Sequence, residues 1–137
     1  TAYGLVRRVL SLNDEMGRRN NGPVLLVGEP PYTDWSAHEL GPWFEPMGGP
    51  SMVKTPYGWI AGGRMREDRA ERTSRMTLAY LDTEKRSLSK LVHLPSSGDN
   101  SYPGMVWHDG ILWVSYYSSH RQAQTRIHLA KVWLRAR

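Results

Sequence analysis

An all-β chain is what this sequence predicts, and three observations carry the prediction. The apolar stretches are only as long as single strands, thirteen Gly and nine Pro fall between them as punctuation, and a strand-turn-strand pattern recurs within the chain. Six Trp and seven Tyr beside one Phe suit a pleated, half-buried surface, and their polar handles also suit wet concave sites. At 137 residues the chain is one domain's worth.

The elements follow in order. Tyr3 to Val6 and Val24 to Val27 are the first apolar runs, separated by a turn signal at Asn20-Asn21-Gly22-Pro23. Pro30-Pro31-Tyr32 breaks the chain again. Ser51 to Val53 and Trp59 to Ala61 flank Pro56-Tyr57-Gly58 and read as a hairpin. Met76 to Leu81 and Leu91 to Leu94 come next, closed by Ser97-Gly98-Asp99-Asn100. Met105 to Trp107 and Ile111 to Tyr117 flank His108-Asp109-Gly110, a second hairpin, and Ile127 to Trp133 ends the series. Only the arginine-rich stretch near residue 70 has the composition for a helical turn.

Self-comparison organises these strands. Ser74 to Leu81 lies over Thr125 to Val132 at an offset of 51 (125 minus 74), with Arg, Leu and Ala identical. Met52-Val53 and Trp59-Ile60 lie over Gly104-Met105 and Ile111-Leu112 at 52, and Val24 to Val27 lies over Met76 to Ala79, again at 52 (76 minus 24). A period near 50 built of short strands is the pattern of β-propeller blades, each a four-stranded antiparallel sheet. The blades fall roughly at 1–45, 46–96 and 97–137, two and a half to three in all within a single partial propeller domain. Propellers close with about 4 to 8 blades. The expectation is therefore self-association into a homodimer or higher oligomer, or membership of a longer chain, because an open blade exposes its edge and one apolar face.

Composition narrows the chemistry. With no cysteine, disulfides, thiolate metal sites and thiol nucleophiles are excluded, and the five His show no metal-ligand spacing, so neither metal nor cofactor is expected. No apolar run reaches the length of a membrane span, and Thr1 to Arg8 lack the layout of a signal peptide, which points to a soluble chain of undetermined compartment. The net charge of +5 is uneven: residues 1–50 carry four Arg against six acids, and residues 51–137 carry fourteen bases against seven acids. Much of the excess lies in Arg64, Arg66, Arg69, Arg72 and Arg75, interleaved with Glu67, Asp68 and Glu71. Mixed signs of this kind mark a solvated loop and argue against a nucleic-acid stripe.

A family resemblance rests on specific residues. The stretch from Ser97-Gly98-Asp99-Asn100-Ser101-Tyr102-Pro103-Gly104-Met105-Val106-Trp107-His108-Asp109-Gly110 through Ile111-Leu112-Trp113-Val114-Ser115-Tyr116-Tyr117-Ser118-Ser119-His120 resembles the late blades of sialidase-like proteins, which are six-bladed propellers. Pro30 to Trp35, Gly48-Gly49-Pro50 and Ile60 to Arg64 resemble the same group in the same order, so the similarity covers most of residues 23–134. The family's Asp-box, Ser-x-Asp-x-Gly-x-x-Trp, lays over Gly28 to Trp35 with Trp35 in place and Pro30 and Tyr32 replacing its Asp and Gly. Such boxes are peripheral turns in the family, so Trp35 is expected to be structural.

The resemblance implies site residues. A sialidase attacks a carbon that bears a carboxylate, where a neutral Tyr nucleophile avoids charge repulsion. Arginines grip the carboxylate through planar, paired donors. Tyr102 resembles the nucleophile segment, and Arg7 or Arg8 and Arg64, each ending a strand, resemble carboxylate-binding positions. Tyr117 closes the strand after Asp-Gly, Asp99 falls in the loop before Tyr102, and His120 follows at a blade mouth where it can meet a sugar. Simpler roles stand beside these: Tyr102 as a strand cap before Pro103, Asp99 as a turn former, and Arg64 as a solvated charge. The acid/base Asp and first Arg of the family belong to earlier blades, no Asn-Glu dipeptide is present, and no Glu base stands out. The expectation is a non-catalytic module that binds glycan or another acidic ligand. Two alternatives are an exo-sialidase active only on assembly or in a longer chain, and a structural or protein-interaction module.

Overall fold

The computed structural model describes residues 1–7, 23–40, 47–66 and 73–136, and among these there is no helix. Ten strands form three antiparallel meanders. Sheet 1 is β1 (Ala2–Arg7), β2 (Pro23–Gly28) and β3 (Trp35–Glu39). Sheet 2 is β4 (Gly48–Thr55), β5 (Gly58–Met65), β6 (Arg75–Asp82) and β7 (Ser87–His93). Sheet 3 is β8 (Asn100–His108), β9 (Ile111–Ser118) and β10 (Arg126–Val132). Among the described residues the three sheets do not close on one another. The arginine-rich stretch around residue 70 and Arg8 lie outside the described residues.

Local chemistry fixes the hairpins. Asp109 and Gly110 both hold positive φ, 49° and 75°, the pairing that matches strand twist in a two-residue turn. At the β4–β5 turn, the Thr55 hydroxyl donates to the Gly58 carbonyl at 2.9 Å and accepts from the Tyr57 amide at 3.1 Å. Between β6 and β7, Asp82 Oδ1 accepts from the Glu84 and Lys85 amides, a side-chain imitation of a backbone turn.

Sheet 2 sits between its neighbours. β1 and β8 both pack on β4, and β8 also meets β5 and β6. The alternation of strand side chains then divides the core in two. Leu25, Ala61, Met65 and Leu81 bury between sheets 1 and 2, with Tyr3, Leu5 and Trp59 packed against them. Ile60, Met76, Leu78 and Tyr80 bury against Leu112, Val114 and Tyr116 of sheet 3. Full burial of an aliphatic side chain of this size stabilises by about 1.5–3 kcal/mol.

The repeat is present, with its register corrected in two places. The Leu40 amide donates to the Pro23 carbonyl at 2.9 Å, and the Leu94 amide donates to the Met76 carbonyl at 2.8 Å. Pro23, not Val24, is therefore the counterpart of Met76, an offset of 53 (76 minus 23). Face alternation requires this: Leu25 and Leu78 each look toward the following sheet, whereas a slip of one residue would reverse the face. In the same way Met52-Val53 match Met105-Val106 at 53 (105 minus 52), since Ser51 opposite Gly62 corresponds to Gly104 opposite Ser115. The offset of 51 between Met76 and Ile127 stands, because these residues lie opposite Arg64 and Tyr117 respectively.

Arg7 lies opposite Pro23, Arg64 opposite Met76, and Tyr117 opposite Ile127. These three residues occupy the same place at the same end of successive sheets.

Candidate functional site

The first strands of sheets 2 and 3 carry matching irregularities at this end. Register shifts fall between Gly48 and Ser51 on β4 and between Ser101 and Gly104 on β8. Each contains a left-handed residue followed by proline: Gly49 at φ 56°, before Pro50, and Tyr102 at φ 51°, before Pro103. Glycine adopts such a backbone freely, whereas tyrosine does so at a cost, and bulges of this kind re-aim side chains.

The bulge points Tyr102 outward, and it is 72% exposed. Two contacts hold it there. The buried Ser101 hydroxyl donates to the Gly48 carbonyl at 2.6 Å, stitching β8 to β4. A Cβ on Gly49 would stand 2.9 Å from the Tyr102 ring, so the bare backbone of Gly49 makes room for it. The ring then stacks on Tyr117, centroids 6.0 Å apart and planes 25° from parallel.

Tyr117 links the aromatic pair to the charges. Its hydroxyl donates to Asp99 Oδ1 at 3.1 Å, and the same oxygen lies 3.9 Å from Arg64 Nη1. Burial and the hydrogen bond to Asp99 raise the Tyr117 pKa above its ordinary value, so at neutral pH this phenol is a proton donor. A separation of 3.9 Å is an ion pair without the paired fork that an arginine can offer a carboxylate. Asp99 itself is mounted firmly: its amide donates to Ser119 Oγ at 3.1 Å, and its carbonyl accepts from the Ser119 amide at 3.1 Å. Beside it, Asn100 is fully buried and donates to the Ser74 and Gly98 carbonyls, both at 3.0 Å.

Of the residues read from the sequence, Arg64, Asp99, Tyr102 and Tyr117 thus meet at one end of sheets 2 and 3. Arg7 is exposed at the corresponding end of β1, outside the contacts that join the other four. Arg8 is not among the described residues. His120 belongs to a different group: its Nδ1 lies 2.9 Å from Ser118 Oγ, and its ring lies 4.5 Å from that of His128. Burial first, then His128 and Arg121, lower its pKa. Trp35 opens β3 at the opposite end of sheet 1, opposite Gly28.

Sequence reasoning missed the supports. Ser101 and Gly49 position Tyr102, yet only the Gly48-Gly49-Pro50 run hinted at a special backbone. Among the described residues no group of three or more His, Asp or Glu is placed to hold a metal ion, and no helix is long and apolar enough to cross a membrane. Comparison with protein-family models, curated proteins and solved structures finds no match for this chain.

Proposed function

We propose that this chain is a portion of a sialidase-like β-propeller that binds a carboxylate-bearing sugar where Arg64, Asp99, Tyr102 and Tyr117 converge. The observation that carries the reading is that convergence. Four of the seven candidate site residues, spread over 53 positions (117 minus 64), are joined by contacts: Arg64 to Asp99, Asp99 to Tyr117, and Tyr117 to Tyr102. Arg64 supplies the positive fork for the carboxylate, the exposed Tyr102 face takes the apolar side of a pyranose ring, and Asp99 accepts hydroxyl protons. Arg7, one sheet away at the equivalent position, is a second arginine for the same anion.

A titration with N-acetylneuraminic acid tests this. Saturable binding that weakens roughly 10- to 100-fold in Arg64→Ala, the worth of about 1.5–3 kcal/mol for a hydrogen bond to charge, is the expected result. Absence of saturation, or an Arg64→Ala variant equal to wild type, overturns it.

The exposed Tyr102 beside the Tyr117–Asp99 hydrogen bond favours one second reading, a glycosidase of exo-sialidase type that works when further blades supply its acid. Turnover of a fluorogenic sialoside that Tyr102→Phe abolishes would support it. In either reading the face of sheet 3 that carries Ile127 and Leu129, exposed among the described residues, can receive another sheet, from a second copy of the chain or another protein.

A further inference from the structure

At the far end of sheet 1 lies a cleft of about 530 Å³ that the acidic-sugar reading does not use, lined in part by Glu29, Pro31, Thr33, Asp34 and Trp35. It is separated from Arg7 by the length of β1, roughly 17 Å for six residues. The cleft is shallow and open, with residues 29–36 all exposed.

Trp35 is fixed in the cleft as a platform. A Cβ on Gly28 would stand 2.9 Å from the indole carbons, so the ring lies directly on the bare backbone of that glycine. The indole N–H donates to the Tyr32 carbonyl at 3.1 Å, and the Tyr32 ring lies 6.3 Å away, tilted by 32°. The indole is nonetheless 43% exposed. A tryptophan that is rigid, open on the cleft side and already satisfied at its nitrogen offers an apolar π-face and nothing else.

Asp34 brings a carboxylate and Thr33 and Ser36 bring hydroxyls, while the Glu29 carboxylate is already engaged, one oxygen by the Thr1 hydroxyl and the other by the Thr1 ammonium at 3.3 Å. Among the described residues no Lys, Arg or His side chain lines the cleft. Thr33 Oγ1 donates to Asp34 Oδ2 at 3.3 Å, leaving the other oxygen of that exposed carboxylate directed to solvent or ligand. Carboxylates accept hydroxyl protons well and repel anions.

We propose that this cleft is a second carbohydrate site, selective for a neutral hexopyranose whose C–H face stacks on Trp35 and whose hydroxyls donate to Asp34. It does not rest on the reading of the Arg64 end, and its ligand preference is the opposite in charge. The test follows the backbone amide resonances of Thr33, Asp34 and Ser36, together with the indole N–H wherever Trp35 is present, while methyl β-D-glucopyranoside and methyl β-D-galactopyranoside are titrated into the protein, with N-acetylneuraminate and choline as contrasting probes.

A saturable shift with at least one neutral glycoside in the millimolar range is expected, weakened at least tenfold in both Trp35→Ala and Asp34→Asn and unchanged in Arg64→Ala. Asp34→Asn alters an exposed carboxylate, so it stays informative if Trp35→Ala fails to fold. No response to either glycoside up to roughly 50 mM, or binding that survives both substitutions, overturns the proposal. A shift with choline alone also overturns it, marking the cleft as a cation site.

Discussion

Met76 and Leu78 on β6 are fully buried, whereas Ile127 and Leu129, which hold the same register on β10, are 76% and 65% exposed. The side chains are near-identical in size and the backbone pairing is the same. The difference lies in the neighbour: the face of β6 is covered by β8 and β9 of sheet 3, while the same face of sheet 3 is open among the described residues, with Val106 exposed as well. The edge also differs, since β6 pairs with β7, whereas β10 ends its sheet and carries Arg126 and Lys131. Charges on an edge strand discourage random pairing, so the open sheet is partly protected. A repeat thus specifies which face is apolar, and the next sheet decides whether that face is buried.

The largest test of this contrast is a pair of truncations. Leu78→Ala should cost about 2–5 kcal/mol in denaturant unfolding, and Leu129→Ala should stay within about 0.5 kcal/mol. Equal costs would mean that β10 is covered in solution. Self-association sharpens the same comparison. If copies bury the open face, light scattering should give about twice 15.7 kDa, and Leu129→Asp should return the monomer mass. A mass of one chain at every concentration removes that branch.

A smaller effect separates the two bulges. Gly49→Ala places a Cβ 2.6 Å from Ser101 Oγ at a positive φ and should destabilise by about 1–3 kcal/mol. Tyr102→Gly, at the equivalent position in sheet 3, should leave stability within about 1 kcal/mol while weakening acidic-sugar binding. A greater loss of stability from Tyr102→Gly than from Gly49→Ala would break the equivalence.

The smallest effect concerns pH. The His120 pKa is lowered in the folded protein, so the unfolded chain binds its proton first. Stability is complete above about pH 6.5, the ordinary imidazole value, and declines as pH falls from there toward the lowered folded value. His120→Asn should flatten that slope in unfolding curves recorded from pH 7.5 to 5. A slope of the opposite sign would mean that protonated His120 is stabilised in the folded state.

Much of the fold was legible because Gly, Pro and apolar alternation act locally. The Asp109-Gly110 hairpin and the strands around Ile60, Leu78 and Val114 needed only that information. β3 was not legible: Trp35 to Glu39 are mostly exposed, so no apolar pattern announced the strand. The repeat is legible, but two of its matches fall one residue out of place, because identity over a few apolar residues carries neither the strand pairing nor the side-chain face that fixes register. Arg64, Asp99, Tyr102 and Tyr117, named from the sequence, lie together at one end of sheets 2 and 3. The support from Ser101 and Gly49 depends on β4 and β8 lying side by side, a long-range fact that no local pattern contains.

The most direct test of the functional reading is a residue-resolved map of acidic-sugar binding, made by titrating N-acetylneuraminic acid into isotopically labelled protein and following backbone and arginine side-chain resonances. The account predicts saturable shifts centred on Arg64, Asp99, Tyr102 and Tyr117, extending to Arg7, and quiet resonances around Trp35. Shifts confined to any other surface, or none at all, would contradict it.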